Sequence, residues 1–268
     1  MLWKRKQKIM ERPLILISND DGYRAKGIRE LAKIAMQFGE VLVCAPEGAQ
    51  SGKSRAFTMS DITLHKASSV EAGYPEDVDV WFCTGTPVDC VKMAYGTLCK
   101  RKPKLILGGI NHGDNASTNA HYSGTIGVAF EGCMKGIPSI AFSLCDFEPD
   151  ANFEPMRPVV EKVIRKVFDE GLPHFTCLNV NVPKTATYDE LKGIRVCRMA
   201  DGYWRNEVSP QDRTDRQGNQ MYLLEGYYKS NEPDAEDTDA WAIRNGYAAV
   251  TPCTIDITDY NLFKTLEF

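Results

Sequence analysis

Asp20 and Asp21 stand side by side where an apolar run stops, in Leu14-Ile15-Leu16-Ile17-Ser18-Asn19-Asp20-Asp21-Gly22. Adjacent carboxylates repel, so the pair costs stability unless something cationic sits beside it. Three other polar segments are rich in small residues: Pro46-Glu47-Gly48-Ala49-Gln50-Ser51-Gly52, Thr84-Gly85-Thr86-Pro87, and Gly108-Gly109-Ile110-Asn111-His112-Gly113-Asp114-Asn115. The last leads to Tyr122-Ser123-Gly124-Thr125. Carboxylate, hydroxyl and amide oxygens drawn from such segments suit a hard divalent cation: Mg²⁺, Mn²⁺ or Ca²⁺. Glycines let a backbone approach a ligand closely. Ser123-Gly124-Thr125 opens a helix, and a helix N-terminus offers free N–H groups to a phosphate. The plainer alternative for Asp20-Asp21 is a turn with a helix cap. His112 and His121 read as surface or hydrogen-bonded side chains, with proton transfer open to one near the site.

One segment imitates a different machine. Gly48-Ala49-Gln50-Ser51-Gly52-Lys53-Ser54 nearly spells a P-loop, but that motif needs four residues between its glycines and this segment has three. An ATP-dependent enzyme of that kind would work through Lys53 rather than Asp20.

The elements that must position these loops alternate. Leu14–Ile17 reads as a strand buried on both faces. Over residues 27–38 the period changes: Ile28, Leu31, Ala32 and Ala35 lie on one helical face, and Gly39 stops the helix. Strands follow at 41–45, 80–83, 105–107 and 139–143, with helices opening at Thr86-Pro87, spanning 124–135 and opening at Pro158. Thr86 is the expected N-cap, Pro87 the first helical residue and Asp89 the third, where an acid favours the dipole. Strands alternating with helices predict an α/β fold with a doubly wound, mostly parallel sheet. In such sheets ligands bind beyond the carboxyl ends of the strands, where all four polar segments fall. After about residue 183 the pattern predicts a long β-hairpin, with strands at 192–199 and 221–228 joined by the polar stretch 206–220. The acidic run 232–239 is expected to be a solvated loop, and 247–257 a last strand. The closing tail carries Leu262, Phe263, Leu266 and Phe268, apolar residues expected to dock on a partner subunit.

Bulk properties narrow the function classes. The chain has 268 residues, 43% of them hydrophobic, as in a soluble globular protein. Its 32 basic and 36 acidic residues give a net charge of −4, which argues against holding nucleic acid by a broad electrostatic field. Nine cysteines lie scattered without a Cys-x-x-Cys pair, so a zinc site or disulfide framework is not expected and a reducing, cytoplasmic setting is. No apolar stretch approaches the roughly 20 residues that span a bilayer. Residues 1–11 read as a basic N-terminal extension, and 12–268 as one domain with its core over about 12–190 and the hairpin and tail over about 191–268.

Taken in order, these motifs resemble the SurE family (survival protein E, 5′/3′-nucleotidases). The residues that carry the resemblance are Ser18-Asn19-Asp20-Asp21-Gly22 with Gly27-Ile28, Ala45-Pro46 with Ser51-Gly52, Gly85-Thr86-Pro87 with Asp89-Cys90-Val91, Gly109-Ile110-Asn111-x-Gly113-x-Asn115, Tyr122-Ser123-Gly124-Thr125 with Glu131-Gly132, and Thr238-Asp239, Gly246-Tyr247 and Val250-Thr251-Pro252 near the end. The match runs from about residue 13 to 260.

The resemblance implies a Rossmann-like core whose C-terminal extension exchanges between subunits, giving a homodimer or homotetramer. It implies a metal-dependent phosphatase acting on nucleoside monophosphates, with one Mg²⁺ or Mn²⁺ ion and Ca²⁺ as an alternative occupant. The metal ligands would be Asp20, Asp21, Ser51 and Asn111, with Asp20 and Asp21 also catalytic. Asn19, Gly52, Asn115, Ser123, Gly124 and Thr125 would contact phosphate or substrate. Water attack on phosphorus and direct attack by Asp20 both remain open. So does a non-catalytic nucleotide-binding or regulatory module on the same fold. The sequence departs from the family at Glu47-Gly48-Ala49-Gln50, where basic and amide side chains are usual, leaving Lys53 or Arg55 as substitutes. It also departs at Ala116-Ser117, in place of a common glycine, and in the extension before Arg12.

Overall fold

The computed structural model describes residues 11–148 and 150–268, so the expected N-terminal extension lies outside the described residues apart from Glu11. In the first half the chain runs β1 (Leu14–Ser18), α1 (Lys26–Ala35), β2 (Glu40–Pro46), β3 (Leu64–Lys66), β4 (Asp79–Cys83), α2 (Pro87–Met93), β5 (Leu105–His112) and α3 (Gly124–Met134). It continues through β6 (Ser139–Cys145), α4 (Met156–Glu170), β7 (Thr176–Pro183) and β8 (Ile194–Val196). The last part comprises β9 (Gly202–Arg205), β10 (Val208–Thr214), β11 (Gln220–Leu224), β12 (Tyr227–Ser230), α5 (Asp239–Arg244), β13 (Ala248–Thr254) and α6 (Tyr260–Phe263).

Period-two burial explains the layering. In β1 every residue is buried. Ile15 and Ile17 join a core with Ile28 and Leu31 of α1 and Val160 and Ile164 of α4. Leu14 and Leu16 pack on the opposite side with Cys90 and Val91 of α2 and Val128 of α3. A strand with helices on both faces has no solvent side, so it reads as a continuous apolar run. Thr86 and Asp89 form a full capping box at the start of α2, as their spacing predicts.

The nine-stranded sheet has the order β3, β4, β2, β1, β5, β6, β7, β13, β8. From β4 to β7 neighbours are parallel. Edge strand β3 is antiparallel to β4, and β13 is antiparallel to β7. The chain winds outward from β1 through β2 to β4, then returns to place β5 on the other side of β1. The strand order therefore reverses between β1 and β5, and the crevice beyond their carboxyl ends is where doubly wound sheets bind ligands.

The region after β7 holds antiparallel hairpins as expected, but not between the strands expected at 192–199 and 221–228. Residues 194–196 pair in parallel with β13 in the main sheet, not with 221–228. The ribbon instead folds on itself, with β9 against β12 and β10 against β11. Apolar character marks a strand but does not choose its partner. The acidic run 232–239 is likewise only partly a solvated loop. Glu232 and Asp237 grip Arg198, and Asp239 is fully buried at the start of α5.

Candidate active site

The switch point is formed by residues from the carboxyl ends of β1, β2 and β5 and from the N-terminus of α3. Directly after β1, the side-chain oxygen of Asn19 accepts from Gly22 N and its amide donates to Gly22 O, both at 3.2 Å. Asn19 is fully buried, holds the turn with both ends of its amide, and is not among the residues lining the cavity at the switch point. That turn presents Asp20 inward, 4% exposed. Thr125 Oγ1 donates to Asp20 Oδ1 at 2.7 Å and Gly124 N donates to Asp20 Oδ2 at 3.1 Å. Ser123 Oγ caps α3 by accepting from Ile126 N. The helix start is thus aimed at Asp20, so Gly124 and Thr125 position that carboxylate, where the resemblance placed them against phosphate. Gly124 has no room for a side chain, because a Cβ there would lie 2.8 Å from that of Asp20.

Asp21 is less enclosed and its Oδ2 accepts from His112 N at 3.4 Å. Burial raises the Asp20 carboxyl above its ordinary value, with the Thr125 hydroxyl pulling the other way. Burial first, and then the charge of Asp20, push Asp21 up to about 6. Burial holds the His112 imidazole below its usual value, and the ring lies edge-on to Phe153.

From β5, Asn111 donates its amide nitrogen to the carbonyls of His112 at 3.2 Å and Gly113 at 2.9 Å. Its Oδ1 receives no hydrogen bond among the described residues. The loop after β2 is tied in by Gln50 N, which donates to the Asp20 carbonyl at 2.7 Å. Ser51 follows, exposed, and Gly52 adopts a left-handed φ of 72°. No helix follows this loop before β3, so the strand–loop–helix of a P-loop is missing. Lys53 is exposed and Arg55 stacks over Phe130.

Asp20, Ser51, Gly52, Asn111, Asn115 and Ser123 line one cavity of about 740 Å³, within the range of small-ligand sites. Its carboxylates are those of Asp20, Asp114, Glu207 and Glu225, and among the described residues no lysine or arginine lines it. The donor set for a cation is all oxygen: the Asp20 carboxylate just after β1, the free amide oxygen of Asn111 and the Ser51 hydroxyl, with the Asp21 carboxylate adjacent in the chain but not among the lining residues. Such a set fits a hard divalent ion.

Asn179, Asn181, Phe147 and Trp204 do not stand out in the sequence, and Asp239 does so only within the acidic run 232–239 and the family resemblance. Asn181 Oδ1 accepts from Asn115 N at 2.7 Å, Asn179 donates to the Asn115 carbonyl at 2.8 Å, and Asn181 donates to Asn179 at 3.0 Å. Their spacing of two on β7 is the only sequence signal, since it puts both amides on one face. Asp239 accepts from Ser117 N and Ala200 N, bracing the segment after Asn115. The ribbon lends Trp204, which donates to Asn119 at 2.7 Å, and the loop after β6 lends Phe147 to the cavity.

Fold and site together define a doubly wound α/β protein with an acidic, oxygen-donor pocket at the switch point of its sheet. The chain belongs to the SurE family, whose model, described as Survival protein SurE, matches residues 15–206. It is 47% identical over 257 residues to a protein of Bacteroides thetaiotaomicron named 5′-nucleotidase SurE, covering 96% of each chain. It is 37% identical over 254 residues to the protein of the same name from Porphyromonas gingivalis, covering 94% of each. The crystal structure of SurE protein from Aquifex aeolicus superposes with a TM-score of 0.79 at 36% identity, covering 95% of this chain and 98% of that one.

Proposed function

We propose that this chain is a divalent-metal-dependent 5′-nucleotidase, hydrolysing nucleoside 5′-monophosphates to nucleoside and phosphate, with 3′-monophosphates as additional substrates. One observation carries the reading. Among the described residues the cavity presents four carboxylates, one histidine and no lysine or arginine, so it repels a phosphate dianion unless a dication lies between them. The name carried by the relatives supports the same activity.

Asp20, Asp21, Asn111 through Oδ1, and Ser51 would hold the ion, Mg²⁺ or Mn²⁺, with Ca²⁺ able to occupy the same ligands. When bound, it supplies charge neutralisation for the phosphoryl group and activation of water. The remaining work belongs to the chain. Gly124 and Thr125 lock both oxygens of Asp20. The Asn115 amide gives one hydrogen to Ser143 and has a second to offer a phosphate oxygen. Ser123 and Gly52 line the same wall. Positioning of this kind supplies most of the acceleration in phosphoryl transfer.

We further propose a homodimer, supported by the exposed Ile257, Leu262, Phe263, Leu266 and Phe268 of the tail. Such a set exceeds the single exposed apolar residues normal on a monomer. Among the described residues no helix is long and apolar enough to cross a membrane. All nine cysteines are free, which supports a reducing, cytoplasmic setting.

The test is a phosphate-release screen over 5′- and 3′-nucleoside monophosphates, with chelator and with each metal. Release that needs added Mg²⁺ or Mn²⁺ supports the reading. Undiminished release in chelator contradicts its metal dependence. Nucleotide binding with no release under any metal would instead indicate a non-catalytic binding module.

A further inference from the structure

The cavity has two ends of different chemistry. Its floor is polar and buried: Asp20 is 4%, Ser123 5% and Asn115 6% exposed. Its exposed lining carries apolar side chains beside the carboxylates of Glu207 and Glu225: Tyr122 is 63%, Phe147 75% and Leu224 80% exposed. An aromatic ring left in water beside a ligand cavity has hydrophobic and stacking free energy still to gain.

Phe147 is placed to gain it. Its ring lies over Gly113, where an added Cβ would come within 2.2 Å of Phe147 Cε1. Gly113 has a φ of 97° and its carbonyl accepts the amide of Asn111, so the ring leans on the backbone that orients a proposed metal ligand. The turn that carries Phe147 is braced. Asp146 is 5% exposed, and its Oδ1 accepts from Glu148 N at 3.1 Å and from Lys184 Nζ at 3.0 Å. One part of the ring is seated on Gly113 while most of the residue remains open. Trp204, held by Asn119, forms part of the same cavity wall.

We infer that Phe147 is the stacking platform for the nucleobase of a substrate whose phosphate sits at the floor, and so is a specificity-determining residue of this chain. The inference rests on the nucleotidase reading and deepens it. A flat, uncharged platform recognises the π-face that every base has. It therefore favours nucleotides over phosphomonoesters without a ring, without reading base edges.

The test compares the wild-type protein with Phe147→Ala and Phe147→Trp under saturating Mn²⁺. Two quantities are measured: kcat/KM for adenosine 5′-monophosphate, and the inhibition constant of inorganic phosphate, which needs only the floor. For Phe147→Ala, kcat/KM falls about tenfold or more, the scale of one lost base–aromatic stack. The phosphate constant stays within about twofold, and Phe147→Trp restores turnover, because the floor is untouched and a larger ring stacks again. Melting temperatures of all three proteins agree, since the side chain is exposed. Equal weakening of phosphate and nucleotide would overturn the inference, as would an unchanged kcat/KM for Phe147→Ala. Wild-type protein that releases no phosphate from any nucleotide defeats the nucleotidase reading itself, and this inference falls with it.

Discussion

Thr125 Oγ1 donates to Asp20 Oδ1 at 2.7 Å, from the first turn of the helix whose Gly124 N–H holds the other oxygen at 3.1 Å. The metal-binding carboxylate proposed here is therefore aimed by a residue that has no place in the coordination sphere. Thr125→Val keeps the shape and deletes the bond. We expect Mn²⁺ affinity and kcat to fall about 10- to 100-fold, the usual cost of losing an outer partner of a ligand. Thr125→Ser should retain most activity. Equal activity in both variants would show that Asp20 needs no such support.

Asp20→Asn and Lys53→Ala separate the proposed site from its P-loop imitation. The first removes a charge from the pair and should abolish turnover. The second alters an exposed side chain that does not line the cavity and should leave kcat unchanged. Phosphate-release rates under identical metal decide between them.

The raised Asp21 carboxyl gives a pH dependence with a definite sign. Its folded value of about 6 lies above the ordinary 3.8, so the metal-free folded state holds this proton more tightly than the unfolded chain. The resulting stabilisation is fully present below the unfolded value and is lost as pH rises through about 6. A cation binds only the ionised pair, so it reverses the trend. The rise in melting temperature on adding Mn²⁺ should grow between about pH 5 and 7. Scanning thermal unfolding with Mn²⁺ and with chelator checks this, and a rise that is flat with pH would contradict it.

Asn181 is fully buried, and its side chain accepts from the backbone of Asn115. Asn181→Ala should destabilise the protein by about 1–3 kcal/mol, because it strands a buried N–H. It should also lower activity by moving Asn115. Denaturant unfolding and kcat measured together test the link. A stability loss with full activity would make the pair a packing feature alone.

What was legible in the sequence was mostly local. The buried run of β1, the capping box of Thr86 and Asp89, and the loop oxygens at the strand ends each announce themselves within a few residues. Long-range pairing did not. Ile194–Val196 reads as a strand, but only the assembled sheet shows that it lies beside β13 and not in a hairpin. Asn179, Asn181 and Asp239 are polar residues whose partners lie 64, 66 and 122 positions away. The resemblance places Gly124 and Thr125 against phosphate. The anion that their N–H and hydroxyl groups meet is a carboxylate of the same chain.

The proposed dimer has its own test. Replacing Leu262 and Phe263 together with aspartate places charges on the exposed face of α6. Light scattering should show a monomer for this variant and a dimer for the wild type. Identical masses would remove the tail from the interface.

The most direct measurement of the central claim is anomalous diffraction from crystals of this protein soaked in manganese. The account predicts one strong peak bounded by the carboxylates of Asp20 and Asp21 and the amide oxygen of Asn111, absent in Asp20→Asn crystals treated alike. A well-ordered site with no peak there, at neutral pH and millimolar metal, would contradict it.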